Sequence, residues 1–387
     1  MMAFAELSKR LDSISDEIVT IRRHLHENPE LSFKENKTSK YISDYHKNLG
    51  HKVRTNVGGN GVVAVLKGNQ PGPKIALRAD FDALPIQEEN DVSYKSKVDG
   101  VMHACGHDGH TASLLGLAKV LNAMKEQLKG TIVFIHQHAE ELPPGGAISM
   151  IEDGCLDGVS VIFGTHLQSK DPVGEVRYRS GPILAAMDRF DIVIQGKGGH
   201  GAQPHLTKDS IVVGGQLIGA LQNIVSRKID PLETAVLSIG TFEAKNAFNF
   251  IADRVYLSGT VRTFKEDVRD LVEMQIEKIT SGICQSFDVN YEYNYIRGYP
   301  ATVNHEEETT LLASVAHSVP EVVSVKEGEP LTAGEDFAYY LQKVKGTYFF
   351  TGAKKTEWGS EIYPHHHPKF DIDERSLTIA AKVLGAA

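Results

Sequence analysis

"HACGHDGHTASLLGLAKVLNAMKEQLKGTIVFIHQHAEE", His103 to Glu141, holds in one run a polar cluster, an amphipathic segment and an unbroken apolar segment. Apolar residues recur at helical spacing through "TASLLGLAKVLNAMKEQL" (111–128), which predicts a helix beginning just after the cluster. The following "TIVFIHQ" (131–137) is short, apolar and partly β-branched, and predicts a buried strand. Such alternation argues for an α/β protein with a mainly parallel sheet. "GVVAVLK" (61–67), "KIALRA" (74–79), "VIFGTH" (161–166) and, near the carboxyl end, "GTYFFTG" (346–352) read as further strands. Side chains capable of chemistry stand where three strands end: Asp80 and Asp82, the pair Glu140 and Glu141, and His166. Ligands of open α/β sheets bind outside the carboxyl ends of the strands, so these separate segments aim at one place.

Between about Ile183 and Gly298 the pattern changes. "MDRFDIVIQG" reads as a strand, "DSIVVGGQLIGALQNIVSR" as a helix, "TAVLSIGTFE" and "RVYLSGTVRTF" as two strands, "DVRDLVEMQIEKITSGICQSF" as a helix and "VNYEYNYIRG" as a strand. This is the ferredoxin-like order βαββαβ. Gly181-Pro182 and Gly298-Tyr299-Pro300 bracket it with turn residues. The expected organisation is therefore an outer domain made from 1–182 and 299–387, with residues 183–298 inserted as a second domain.

The 387 residues carry a formal charge of −9 without basic blocks, which argues against nucleic acid or an anionic membrane as partner and for a small soluble ligand. The amino-terminal segment is charged and amphipathic, and no run reaches the length of a membrane span, so a cytoplasmic protein is expected. The three cysteines, Cys105, Cys155 and Cys284, are odd in number and far apart, which disfavours a disulfide framework and leaves Cys105 to be explained.

Cys105 and His107 offer a thiolate and an imidazole one residue apart, around a glycine that lets the backbone turn both inward. Metals of borderline softness take these ligands together with carboxylates. Taken alone, the tripeptide also reads as a buried small residue beside a surface histidine, and the Glu140-Glu141 pair as a solvated face. A solvated face is less expected directly after a continuous apolar strand. Two further classes stay open. A cysteine hydrolase would activate Cys105 through His107 or His103, and a non-catalytic protein would bind metal without turnover.

Nine segments, "RRHLHENPELSFKE", "ALRADFDALPIQE", "HACGHDGHTASLLGLA", "HQHAEE", "GTHL", "GKGGHGAQPH", "GTVRTF", "AGEDFAYY" and "HHHPKFDID", resemble in order and spacing the dinuclear metal amidohydrolases of the aminoacylase and carboxypeptidase family. The similarity spans nearly the whole chain and is greatest to the branch of hippurate hydrolases, N-acyl-amino-acid amidohydrolases and auxin-conjugate hydrolases. It implies two divalent metal ions held by Cys105, His107, Glu141, His166 and His366, the last taken from three consecutive histidines because it precedes Pro368 by two residues. Zinc is the first choice, with manganese, cobalt or nickel as alternatives. The resemblance also implies Glu140 as general base, His200 as oxyanion donor, Asp82 as the aspartate orienting a ligand, and Arg262 with Asn249 as carboxylate-binding residues. Asp80 stands where carboxypeptidase relatives carry a metal histidine. The implied reaction is hydrolysis of N-acyl amino acids by a homodimer joined through the inserted domain. Peptidase action on small peptides, or removal of acetyl from a diamino acid of cell-wall synthesis, is the alternative.

Overall fold

A computed structural model describes residues 2–356 and 361–387. The chain forms two compact units, one from Met1–Ile183, Thr302–Glu329 and Asp336–Ala387, the other from Leu184–Ala301 and Pro330–Glu335.

The first unit is built on an eight-stranded sheet with the spatial order Lys52–Val57, Gly61–Lys67, Lys129–Gln137, Gln70–Asp80, Val161–Pro172, Lys345–Lys354, Glu175–Tyr178 and Ser324–Glu327. From Lys129–Gln137 to Lys345–Lys354 neighbouring strands run parallel, and strands nearer the edges add antiparallel pairings. The parallel centre explains the unbroken apolar runs, since a strand covered on both faces has no solvent side for polar residues. Asp80 ends one central strand, and Glu140 follows another by three residues.

The helices Ser15–Glu27, His107–Ala123 and Arg375–Ala386 share a core containing Ile18, Leu25, Leu114, Leu117, Leu121, Leu377 and Val383 with Phe134 and Phe163 of the sheet. Gly116 permits the close approach of Ser15–Glu27, because a Cβ there would stand 2.5 Å from Ile18 Cγ1.

The central helix begins at His107, earlier than the helix expected from Thr111, and ends at Ala123 before a short turn at Lys125–Gln127. Gly106, at φ 92°, occupies the left-handed region and turns the chain directly from Cys105 into the helix. Its carbonyl accepts the N–H of His110 at 3.0 Å. The polar cluster is thus the buried first turn of a helix, so Asp108, His110, Thr111 and Ser113 need partners inside the protein.

The second unit has the ferredoxin-like order. Its four-stranded antiparallel sheet runs Ala235–Glu243, Arg254–Thr263, Ala186–Gln195, Asn290–Arg297. Helices Ser210–Arg227 and Glu266–Ser286 cover it, and Phe190, Ile192, Ile194, Leu217, Leu221, Leu257 and Ile276 fill the core between. Asp209 caps the first helix by accepting the N–H of Ile211 at 2.9 Å. Pro330–Glu335, expected with the carboxyl-terminal part of the outer domain, belongs here instead. Its backbone is what holds it: Ala185 N–H donates to the Leu331 carbonyl at 3.0 Å, and Arg262 Nε to the Thr332 carbonyl at 3.2 Å.

Candidate metal centre

Cys105, His107, Glu140, Glu141, His166 and His366 come together in the first unit, in overlapping groups whose ligand atoms lie within 4.8 Å of one another. Cys105 Sγ is 3.4 Å from His166 Nε2, and Glu141 Oε1 is 3.2 Å from His366 Nε2 and 3.8 Å from His107 Nε2. Glu140 Oε2 is 4.0 Å from the same His107 nitrogen. Four stretches of chain supply these atoms: the Gly106 turn, the end of Lys129–Gln137, the strand Val161–Pro172 and the loop before Phe370.

His107 and His166 are each aimed by the bond the other ring nitrogen makes. His107 Nδ1 lies 3.2 Å from Asp82 Oδ1, which turns Nε2 toward the glutamates. His166 Nδ1 donates to the Leu167 carbonyl at 3.0 Å, which turns Nε2 toward Cys105. Among the three consecutive histidines, His365 Nε2 donates to that same carbonyl at 2.9 Å, and His367 Nδ1 accepts the N–H of Lys369 at 3.0 Å. His366 is the one whose Nε2 faces Glu141, and its φ of 66° places it in the left-handed region. That conformation costs a non-glycine residue about 1–2 kcal/mol, offset by the 2.8 Å bond from its N–H to the Ala104 carbonyl.

Asp80 and His110 lie beside the cluster and are both engaged elsewhere. His110 Nδ1 is 2.6 Å from Asp80 Oδ1, and His110 Nε2 accepts the Leu167 N–H at 2.9 Å. Asp80 Oδ2 accepts from Arg78 at 2.6 Å, and Arg78 also reaches Asp336 at 3.0 Å. Asp80 and His110 thus bond to each other behind the candidate ligands, and with His107 they make a further group whose ligand atoms lie within 4.8 Å of one another.

The cluster fits a cation. His107 Nε2 and Glu141 Oε1 are buried with no hydrogen-bond partner, an arrangement that costs free energy unless something of opposite character lies between them. Burial pulls the His107 imidazole down, but Asp80, Asp82 and Glu141 outweigh it and lift its pKa to about 10. Burial, with Glu141 and Glu140 beside it, pushes the Cys105 thiol well above its usual value. A thiol held protonated in this way is a poor free nucleophile, and it would ionise when a divalent cation takes the proton's place on sulfur and the proton leaves to solvent. Cys105 Sγ faces His166; His103, the other proposed activator, is buried, and burial foremost holds its imidazole down at about 4.

The remaining predicted residues belong to the second unit. His200 is exposed, in a two-residue strand paired with Phe250–Ile251, so its glycine loop is an ordered ladder. Asn249 adjoins it through its carbonyl, which accepts the Gly201 N–H at 2.8 Å. Arg262 is half-buried at the end of Arg254–Thr263, and its guanidinium also donates to the Val261 carbonyl at 3.0 Å.

Four supporting residues, His110, His365, Ser32 and Glu35, were not apparent from the sequence. The first two stood inside quoted histidine motifs, and residue type alone could not separate them from the candidate ligands. Ser32 Oγ donates to Asp82 Oδ2 at 2.7 Å, and Glu35 accepts the Ala139 N–H at 2.9 Å. Both belong to "PELSFKE", whose sequence offers no spacing rule that points to a site.

The family model for peptidase family M20/M25/M40 matches residues 76–387. A Bacillus subtilis protein provisionally named amidohydrolase YhaA is 57% identical over 99% of this chain and 96% of its own. An N-acyl-L-amino acid amidohydrolase of Geobacillus stearothermophilus is 47% identical over 79% of this chain and 83% of its own. Among solved structures, the Bacillus subtilis YXEP protein, a dinuclear metal binding peptidase, superposes with a TM-score of 0.84 at 37% identity, covering 97% of each chain. With its parallel sheet, its ferredoxin-like unit and a thiol, imidazole and carboxylate cluster at the strand ends, this chain belongs to peptidase family M20/M25/M40, a family of metal-dependent hydrolases of amides.

Proposed function

We propose that the protein hydrolyses the amide bond of N-acyl amino acids, releasing the amino acid and a carboxylate. The observation that carries this reading is the pairing, at one strand end, of Glu141 among the candidate ligands with Glu140 beside them. The similarity to an N-acyl-L-amino acid amidohydrolase supports the substrate class.

Cys105, His107, Glu141, His166 and His366 would hold two divalent ions, zinc being the first choice from the mixture of sulfur, nitrogen and oxygen donors, with manganese, cobalt or nickel as alternatives. Such ions, when bound, lower the pKa of water from about 15.7 to about 7 and polarise a carbonyl. Glu140 takes a proton from the attacking water and delivers it to the departing amine. Asp82 holds the His107 ring by its Nδ1 and accepts the Glu141 N–H at 3.0 Å, so it keeps two ligands in register.

His200 is assigned to the oxyanion of the tetrahedral intermediate, where one such donor contributes about 3 kcal/mol. Arg262 and Asn249 are assigned to the free carboxylate of the substrate, which a guanidinium fork suits. The assembly is proposed as a homodimer through the second unit. Its helix Ser210–Arg227 exposes Val212, Gly215 and Gly219 on one side, a Cβ at either glycine would meet nothing within 4 Å, and the neighbouring Ala235–Glu243 is an edge strand. No helix among the described residues is long and apolar enough to cross a membrane, and a cytoplasmic location is part of the same proposal.

The test is release of free amino acid from a panel of acetyl-, benzoyl- and indole-acetyl-amino acids and dipeptides by metal-loaded protein. Turnover concentrated in the acyl-amino acids supports the reading. Turnover of dipeptides alone makes the protein a peptidase, and no turnover across the panel with metal bound points to a substrate outside it or to a binding role.

A further inference from the structure

The segment Glu30 to Glu35, "ELSFKE", takes no part in the chemistry above, yet it touches both backbones that carry it. Ala83 N–H donates to the Glu30 carbonyl at 2.9 Å, and Leu31 forms a bridge with Ala83, next to Asp82. Ser32 Oγ donates to Asp82 Oδ2 at 2.7 Å. At the other end, Glu35 Oε1 accepts the N–H of Ala139 at 2.9 Å and that of Phe33 at 2.9 Å, while Oε2 accepts from Asn60 Nδ2 at 2.9 Å. Glu35 is fully buried.

Two features single out the bond to Ala139. Ala139 has φ 52° and Phe33 has φ 65°, so one carboxylate holds the N–H groups of two non-glycine residues in the left-handed region. Glu35 also precedes the helix Asn36–Asn48 at the capping position, but its side chain makes no capping bond there. The carboxylate is turned away from its local role toward the site.

Ala139 is the residue before Glu140, and the next backbone donor after Glu140, the Glu141 N–H, is held by Asp82 at 3.0 Å. The left-handed turn at Ala139 redirects the chain two residues past the end of the strand Lys129–Gln137. Two carboxylates thus grip the chain on either side of Glu140.

We propose that Glu35 is a positioning residue that acts through Glu140, fixing the backbone turn from which the general base is presented. This rests on the reading of Glu140 as base. Removing the Glu35 carboxylate would leave the Ala139 N–H buried without its acceptor, and the turn would relax toward the right-handed or extended regions that alanine prefers.

The test is a double-mutant cycle on one N-acyl amino acid that the protein turns over, with metal content measured for every variant. Glu35→Ala is expected to lower kcat about tenfold to hundredfold with KM and metal content little changed, the scale of a small misplacement of a reacting group. Glu35→Gln is expected to recover most of the loss, since its amide oxygen can accept the Ala139 N–H and Asn60 can turn to accept from its NH2. In the Glu140→Gln background, Glu35→Ala should cost nothing further. Should Glu35→Ala fail to fold, Glu35→Asp, one methylene short of Ala139, is carried through the same cycle.

An unchanged kcat in Glu35→Ala, or a loss that multiplies undiminished in the Glu140→Gln background, overturns the proposal. Normal turnover by Glu140→Gln alone overturns the assignment of the base, and this proposal with it, whatever Glu35→Ala does.

Discussion

His110 Nδ1 lies 2.6 Å from Asp80 Oδ1 while its Nε2 accepts the Leu167 N–H, so both nitrogens of a histidine inside the "CGHDGH" motif are spoken for. Because a backbone N–H can only donate, Nε2 must be unprotonated and Nδ1 must carry the proton. The Leu167 carbonyl in turn accepts from His166 Nδ1 and His365 Nε2. The backbone of one residue, Leu167, therefore ties three histidines together through its N–H and its carbonyl, and among them His166 presents a nitrogen to Cys105.

His110→Phe is accordingly expected to weaken metal binding about tenfold to hundredfold, the usual effect of removing a partner behind a ligand. A competition titration with a chromophoric chelator measures it. The stoichiometry at saturation should be that of the parent; loss of one ion at saturation would make His110 a ligand.

Metal removal distinguishes the hydrolase chemistries. Dialysis against a chelator is expected to abolish amide hydrolysis, and a divalent ion to restore it, whereas a thiol nucleophile would survive the treatment. Bound metal should also protect Cys105 from alkylation, which mass spectrometry of the peptide containing it would read.

A buried charge network behind the central helix makes stability depend on pH in two directions. Arg22 donates to Asp108 at 2.8 Å and to Asp371 at 2.7 Å, and His26 Nδ1 lies 2.8 Å from Asp108 with Nε2 3.2 Å from Glu88. Burial and the Arg22 charge pull the His26 imidazole down, but bonds to Asp108 and Glu88 outweigh them and raise it to about 9. Its contribution is fully present below the unfolded value near 6.5 and is lost as pH rises through about 9, on the order of 3 kcal/mol in all. Burial would raise the Asp108 and Asp371 carboxyls, but Arg22 foremost holds both well below the carboxylate range, so their contribution is present above the unfolded value and lost in strong acid. The resistance of the metal-loaded protein to thermal unfolding should therefore fall between about pH 6.5 and 9, and His26→Asn should remove that slope, lowering stability most at the acid end of this range. An unchanged slope in the variant would contradict the assignment.

Gly219→Arg tests the proposed dimer face. The exposed glycine sits inside a helix where a side chain meets nothing, so the substitution should leave the protomer at least as stable, glycine being about 1 kcal/mol worse than a good helix former. Light scattering should nevertheless report a shift from dimer to monomer. A variant that stays dimeric would place the interface elsewhere.

The sheet and the inserted βαββαβ unit were legible because each follows from a local pattern, unbroken apolar runs in the one and alternating runs with helices between in the other, and a thiol beside an imidazole marked where the buried cluster of candidate ligands lies. What was not legible depends on contacts far apart in sequence. The helix start at His107 hinges on the left-handed Gly106, and the transfer of Pro330–Glu335 to the second unit hinges on backbone bonds to Ala185. Asp80 and Asp82 are two residues apart on the same chain, yet one supports His110 and the other His107. No periodicity separates such roles. Glu35 reaches Ala139 across 104 positions, a distance over which a single sequence holds no signal.

The proposed hydrolysis depends on Glu140 as the base beside the candidate metal ligands, its Oε2 4.0 Å from His107 Nε2. The most direct measurement is the turnover of Glu140→Gln on an N-acyl amino acid that the parent hydrolyses, together with the metal content of both proteins. Glu140→Gln is expected to lose most of the rate, about a hundredfold or more for a general base, with metal content equal to the parent's. Near-normal turnover, or a variant stripped of its metal, would contradict that role.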